Sequence, residues 1–342
     1  MRGKGVCYDV GRVMLGHNWR PHFDLSVVRR ELEIVRNDLH CNSVRLQGLD
    51  IGRLTSAAEI ALELDLEVWY SPEMWDRQQN EVLEYLVRGA REAARLWERW
   101  PDRLVFSVGS EISLFMQGFV PGDNVFERLS HPRFLESVRS GTLNVAINAF
   151  LTKANAEVRE VFPGRVTYAS VGFETVDWGR FDFVGVDLYR DKRSREIYPN
   201  LIQRYRALGK PVANMEVGCC TFRGAEDLGG RGFEIVDWST TPPGLKGDYV
   251  YDQGTQAREV ADLLRVNDEA GVDSVFVFTF EDQAGLEDTN RRLIQQLPFD
   301  FDIARYGLVK MHVEEQRGAV YPDMPWEPKE SFRAVADYYA QH

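Results

Sequence analysis

A chain of 342 residues with 44% apolar content has enough material for a large hydrophobic core, built either as two ordinary domains or as one barrel of eight β/α units. The formal net charge of −12, with no basic stretch, argues against a nucleic-acid partner. No apolar run reaches the length of a membrane span, and the four cysteines (Cys7, Cys41, Cys219 and Cys220) lack Cys-x-x-Cys spacing, which argues against a zinc site or disulfide framework.

The N-terminal Met-Arg-Gly-Lys-Gly-Val-Cys-Tyr-Asp-Val has no apolar segment of the secretory kind, so a cytosolic protein with reduced cysteines is expected. The first apolar run, 5–9, reads as a strand, and the periodic stretch 24–39 as a helix. A second strand at 42–47 (Asn-Ser-Val-Arg-Leu-Gln) precedes a helix at 55–64, and a third at 66–71 precedes a long helix capped by Asp76 and running to Trp100. Strand four, 104–111, ends in Ser110 and Glu111; a helix at 144–160 leads to strand five at 165–170. Strand six is expected at 181–189, then a helix at 197–208, strand seven at 211–216, a helix at 253–270, strand eight at 273–281 and a closing helix at 329–340.

Continuous β-branched and aromatic runs suit strands buried on both faces, and their alternation with helices points to a parallel sheet. Eight such strands in one chain favour a closed (β/α)₈ TIM barrel, a single domain over 1–342, and the absence of Gly-x-Gly-x-x-Gly after the first strand speaks against a doubly wound sheet. Two connections are long, 218–252 after strand seven and 282–328 after strand eight. On a barrel both lie on the face that carries chemistry, so both are expected to wall or cover a substrate site.

Glu111 and Glu216 each end an apolar run, on strands four and seven. Strand ends from opposite arcs of a barrel converge over its mouth, and two converging carboxyl groups are the equipment for cleaving a glycosidic bond. Other expected lining residues are Asp9, Gln47, Trp69, Glu73, Trp75, Ser170, Glu174, Trp178, Asp187 and Glu281. Trp69, Trp75 and Trp178 could stack on sugar faces, and Asp9 and Asp187 could accept hydroxyls. An acidic, aromatic mouth suits a neutral sugar unless Arg190, Arg223 or Arg231 turns inward.

Glutamates ending strands four and seven resemble the signature of the clan A glycoside hydrolases, a likeness that extends to the tail Tyr-Gly-Leu-Val…Glu-Pro-Lys-Glu-Ser-Phe. The resemblance implies a retaining glycosidase with Glu111 as acid/base and Glu216 as nucleophile. It further implies Arg45 beside the nucleophile, Tyr189 in contact with it, and Phe280 in the place usually held by a strand-eight tryptophan. Ser110 departs from the asparagine that such enzymes carry before the acid/base, which puts the sugar's C2 chemistry in question. No cofactor is implied, and the expected partner is a carbohydrate. Three other readings stay open: a transglycosylase on the same site, a non-catalytic carbohydrate-binding barrel, and a metal-dependent sugar isomerase or lyase using Glu174, Asp187, Glu216 and Glu281 as ligands.

Overall fold

The computed structural model describes residues 1–283, 294–312 and 316–342. Eight parallel strands close into a barrel: β1 (Gly3–Gly11), β2 (Ser43–Gly48), β3 (Glu67–Pro72), β4 (Leu104–Ser110), β5 (Arg165–Val171), β6 (Val184–Asp187), β7 (Val212–Val217) and β8 (Ser274–Val277). Neighbours in sequence are neighbours in the sheet, and β8 returns to β1 with Gly3 opposite Ser274. Around the barrel lie α1 (Leu25–Asn37), α2 (Ile51–Glu63), α3 (Gln79–Arg99), α4 (Thr142–Arg159), α5 (Tyr198–Arg206), α6 (Gln253–Glu269) and α7 (Glu330–Gln341). The expected (β/α)₈ architecture is therefore the fold.

The period of two along each strand divides its side chains between two cores. Cys7, Trp69, Val105, Ala213, Met215 and Phe276 fill the barrel interior. Val6, Tyr8, Leu46, Val68 and Phe106 face outward and pack beneath the helices. Each such aliphatic or aromatic side chain, once fully buried, stabilises the fold by roughly 1.5–3 kcal/mol.

Aspartates start three of the helices. Asp24, Asp50 and Asp252 accept hydrogen bonds from the amides of Ser26, Arg53 and Thr255, meeting donors that the first turn leaves free. Asp76 does not cap the long helix as expected. It adopts φ 55°, and its carboxylate pairs with Arg128, so α3 starts three residues later behind Gln78, whose amide donates to Glu81 at 3.2 Å. Strand six is shorter than expected: before it, Asp182 N donates to Val166 O, but Val166 N takes the Asp182 side chain in place of a main-chain acceptor.

The 218–252 connection folds into short 3₁₀ turns and a hairpin, and packs Cys219, Cys220, Phe222 and Ile235 with Phe301, Ile303 and Tyr306 into a core of its own. Of the 282–328 connection, positions 284–293 and 313–315 lie outside the described residues. A third insertion, not read from the sequence, follows β4. It holds three short helices, Ile112–Phe115, Val125–Ser130 and Pro132–Ser140, the first two of four and six residues. The last helix closes the barrel as expected: Tyr339 Oη donates to Gly5 O at 2.9 Å, and Lys4 Nζ to Tyr339 O at 2.9 Å.

A buried ionic cluster ties the chain ends to the barrel rim. Arg20 donates to Glu31 at 2.6 Å and pairs with Glu281, while Tyr8 Oη and Trp326 Nε1 also donate to Glu31, at 2.5 and 2.9 Å. Replacing Arg20 by Met should leave two buried carboxyls unpaired and lower the unfolding free energy by about 3–5 kcal/mol; urea denaturation measures it.

Candidate active site

Arg45, on β2, projects into the barrel and is completely buried. Its Nη1 donates to Glu216 Oε1 at 3.0 Å, to Asp187 Oδ1 at 3.2 Å and to Met215 O at 3.0 Å. One guanidinium thus fastens the end of β6 to the end of β7. Gln47, two residues along β2 and so on the same face, donates to Glu216 Oε1 at 3.1 Å and to Glu73 Oε1 at 2.9 Å. Tyr189 Oη completes the set, donating to Glu216 Oε2 at 3.0 Å. Glu216 accepts from three side chains on two strand ends.

Glu111 arrives differently. The β4–β5 register shifts between Ser107 and Ser110, Gly109 takes φ 127°, and Glu111 itself lies in the left-handed region at φ 45° and ψ 45°. A residue with a Cβ pays of order 1–3 kcal/mol there, and such strain gathers at functional positions. Its backbone amide holds the turn by donating to Ala169 O at 2.8 Å. Ser110 Oγ donates to Asp187 Oδ2 at 3.0 Å, so Asp187 is bound by Ser110 from one side and Arg45 from the other.

The carboxyl groups at the mouth outnumber its cations. Burial pushes the Glu111 carboxyl well above the ordinary range, Asp187, Glu216 and Glu174 push it further, and Arg45 opposes them. Burial and the neighbouring Glu216 raise Asp187 likewise, against Arg45 and the Ser110 hydrogen bond. Burial raises Glu73, with Arg12 and Arg45 opposing. Tyr189 is raised by burial and by Glu216, so its phenol stays neutral and remains a donor. Burial works against the charge on Arg45, but Asp187 and Glu216 more than compensate and keep it a cation.

The expected site residues divide into two groups. Glu111, Glu216, Arg45, Ser110, Gln47, Tyr189 and Asp187 come together as described. Asp9 reaches the mouth through Arg12: its carboxylate accepts from Arg12 Nε at 2.7 Å and from the amides of Gly11 and Arg12 at 2.6 and 2.9 Å. Trp75 also lies at the mouth, stacked on Phe115 with ring centroids 4.4 Å apart.

Other expected residues are placed elsewhere. Trp69 is buried inside the barrel against Phe183 and Phe276, and its indole N–H donates to Glu67 at 2.7 Å. Trp178 packs on Tyr168 and Phe181 outside the barrel. Phe280 meets Tyr8 and Trp326 in the outer core, because β8 ends at Val277 and the period of two no longer governs it. Glu281 is the partner of Arg20, and burial pushes its carboxyl up to about 8 with Arg20 opposing.

This dispersal also breaks the metal-ligand set. Glu281 is held by Arg20, and Glu174 accepts from Tyr168 Oη at 2.7 Å and Ser113 N at 3.1 Å behind Glu111. Ser170 spends its hydroxyl on Gly185 O at 3.2 Å. Arg190 turns away to Glu259 and Asp262 at 2.7 Å each, and Arg223 and Arg231 are exposed beside Asp252 and Glu234.

Several residues at the mouth were not singled out in the sequence. Arg12 is buried with its guanidinium 4.5 Å from the Trp19 ring centroid and 5.0 Å from that of Phe278. Phe278 also meets Tyr189 and Tyr306 edge to face, and Tyr306 Oη donates to Gly229 O at 2.8 Å, fixing the 218–252 loop beside the site. Phe278 alone carried a readable signal: it lies two residues beyond the barrel-interior Phe276.

No family profile and no curated protein sequence matches this chain. Solved structures match it along its length. A GH113 β-1,4-mannanase aligns over 100% of both chains with 14% identity and a TM-score of 0.59. The GH113 β-mannanase AaManA from Alicyclobacillus acidocaldarius, in complex with ManMIm, aligns over 99% of this chain and 97% of its own with 16% identity and a TM-score of 0.60. A β-glucuronidase from Ruminococcus gnavus, in complex with D-glucaro 1,5-lactone, aligns over 99% of this chain and 49% of its own with 13% identity and a TM-score of 0.57. At these identities the likeness is one of fold, a (β/α)₈ barrel.

Carboxyl-selective NMR titration should find Glu111 protonating well above the ordinary glutamate value of about 4.3. Glu216→Gln removes a neighbouring anion and should bring that midpoint down; an unmoved midpoint would show that the two groups are electrostatically independent.

Proposed function

We propose that this chain is a retaining glycoside hydrolase, with residues 1–342 as its one catalytic domain, Glu111 as acid/base and Glu216 as nucleophile. The observation that carries the reading is the contrast between two glutamates at the ends of β4 and β7. Glu216 accepts hydrogen bonds from a guanidinium, an amide and a phenol. Glu111 is surrounded by burial and other carboxylates, which favour its protonated form. Unequal environments are how two like groups are given opposite roles.

The reaction follows from those environments. The Glu216 carboxylate attacks the anomeric carbon while Glu111 gives its proton to the departing oxygen, leaving a glycosyl ester on Glu216 and an ionised Glu111. Esterification removes the charge on Glu216, and with it part of the field that raised Glu111. Glu111 then acts as base toward a water that attacks the same carbon, and recovers its proton as the ester breaks. Asp187 lies beside both groups and is held by Ser110, so it is the candidate contact for a sugar hydroxyl where related enzymes use asparagine. The fold neighbours named for mannan and glucuronide chemistry support a carbohydrate as substrate. Among the described residues no helix is long and apolar enough to cross a membrane, and four free, buried cysteines support a cytosolic setting.

Chromophore release from a panel of aryl glycosides tests the reading. Glu216→Gln should nearly abolish it. Glu111→Ala should cost about 10²–10⁴-fold on poor leaving groups while sparing bond cleavage for excellent ones, which need no proton. Activity should fall on the alkaline side as Glu111 loses its proton, with that limb above the ordinary carboxylate range. The first-formed product should keep its anomeric configuration by NMR; inversion, or full activity in both variants, refutes the assignment.

A further inference from the structure

The insertion between β4 and α4 is held in shape by one buried cation. Arg128 donates to Leu114 O at 2.6 Å and Gly122 O at 3.1 Å, and pairs with Asp76. A buried guanidinium is costly unless its donors are met. Here three separate segments meet them, so the loop has a fixed form that the barrel itself does not require.

The segment leaving β3 runs alongside this insertion. Asp76 N donates to Phe115 O at 2.7 Å, Gln117 N to Arg77 O at 3.0 Å, and Gln78 Nε2 to Gln117 Oε1 at 2.7 Å. The paired track begins at the Trp75–Phe115 stack, at the barrel mouth, and reaches Gln117 two residues later, at most about 7 Å further on.

At its end lies an open cleft of about 820 Å³, lined in part by Gln78, Gln117, Phe119, Ser137, Ser140 and Thr142. A second hollow of about 510 Å³ shares Gln78 and Gly118 with it and adds Asn80 and Phe150. The rings of Phe119 and Phe150 meet edge to face at 6.3 Å between the two. Amides and hydroxyls offer uncharged donors and acceptors, and across the two hollows Arg133 and Lys153 balance Asp123 and Glu136 in number. A pyranose has the matching chemistry, with hydroxyls around its edge and C–H groups on its faces.

We infer that this cleft binds distal sugar units of an oligosaccharide whose scissile bond lies at the barrel mouth. The substrate class is then a sugar chain, taken up along the Trp75–Phe115 track. The inference rests on the hydrolase reading above for its catalytic end and on the cleft for its binding end.

Calorimetric titration separates the two. The full chain carrying Glu216→Gln is titrated with two-unit and six-unit β-1,4-linked oligosaccharides of mannose, glucose and xylose. At least one six-unit chain should bind about ten-fold or more tighter than its two-unit form, a difference of about 1.4 kcal/mol. Adding Gln117→Ala and Phe119→Ala should bring that ratio close to one while circular dichroism shows an intact fold. No length preference in any series, or a preference that survives the double substitution, overturns the cleft assignment. Length-dependent binding by a wild-type protein that releases no product from any aryl glycoside or oligosaccharide would instead sink the hydrolase reading and leave the cleft standing.

Discussion

The Arg45 guanidinium is the contact on which the rest of the site depends. It sits inside the barrel, fully buried, and one of its nitrogens touches Glu216, Asp187 and a main-chain carbonyl of β7. A cation there is affordable only because carboxylates compensate it, and Asp187 and Glu216 are packed together only because the cation lies between them. The remaining carboxyl groups at the mouth then find themselves with too little positive charge to ionise all at once. Burial and this crowding raise Glu111 and Asp187 together, and Glu73 with them.

The same device recurs around the rim. Arg20 binds Glu31 and Glu281, Arg128 binds Asp76 and two carbonyls of the β4 insertion, Arg190 binds Glu259 and Asp262 on α6, and Lys329 binds Thr221 at 2.8 Å and Asp302 at 3.1 Å. Each joins segments distant in sequence, and most anchor a loop on the face where the strands end. Buried ion pairs add little net stability against an apolar replacement, but a charge has few acceptable partners inside a protein. The loops of this chain are accordingly held by specific pairings, and the aromatic residues Trp19, Trp75, Phe115, Phe278 and Tyr306 fill the space these pairings define.

What the sequence by itself determined is the barrel and its two glutamates. Strands buried on both faces read as near-continuous apolar runs, so all eight were visible, and a residue that closes a barrel strand, as Glu216 does, lies towards the mouth. Arg45 was expected from the family resemblance and Gln47 as the end of its strand; in the folded barrel both find their partners at the strand ends. The aromatic residues carried no such constraint. Trp69, Trp178 and Phe280 are apolar whether they face a sugar, the barrel core or a helix, and only packing decided that each lies away from the mouth. Glu281 ends a run as Glu216 does, yet tertiary structure gives it to Arg20, and it brings Arg12, just past the end of β1, to the mouth against Asp9 and Trp19. Period and burial are local properties that a sequence records; which cation reaches which carboxylate depends on loop paths, and those exist only once the barrel has closed.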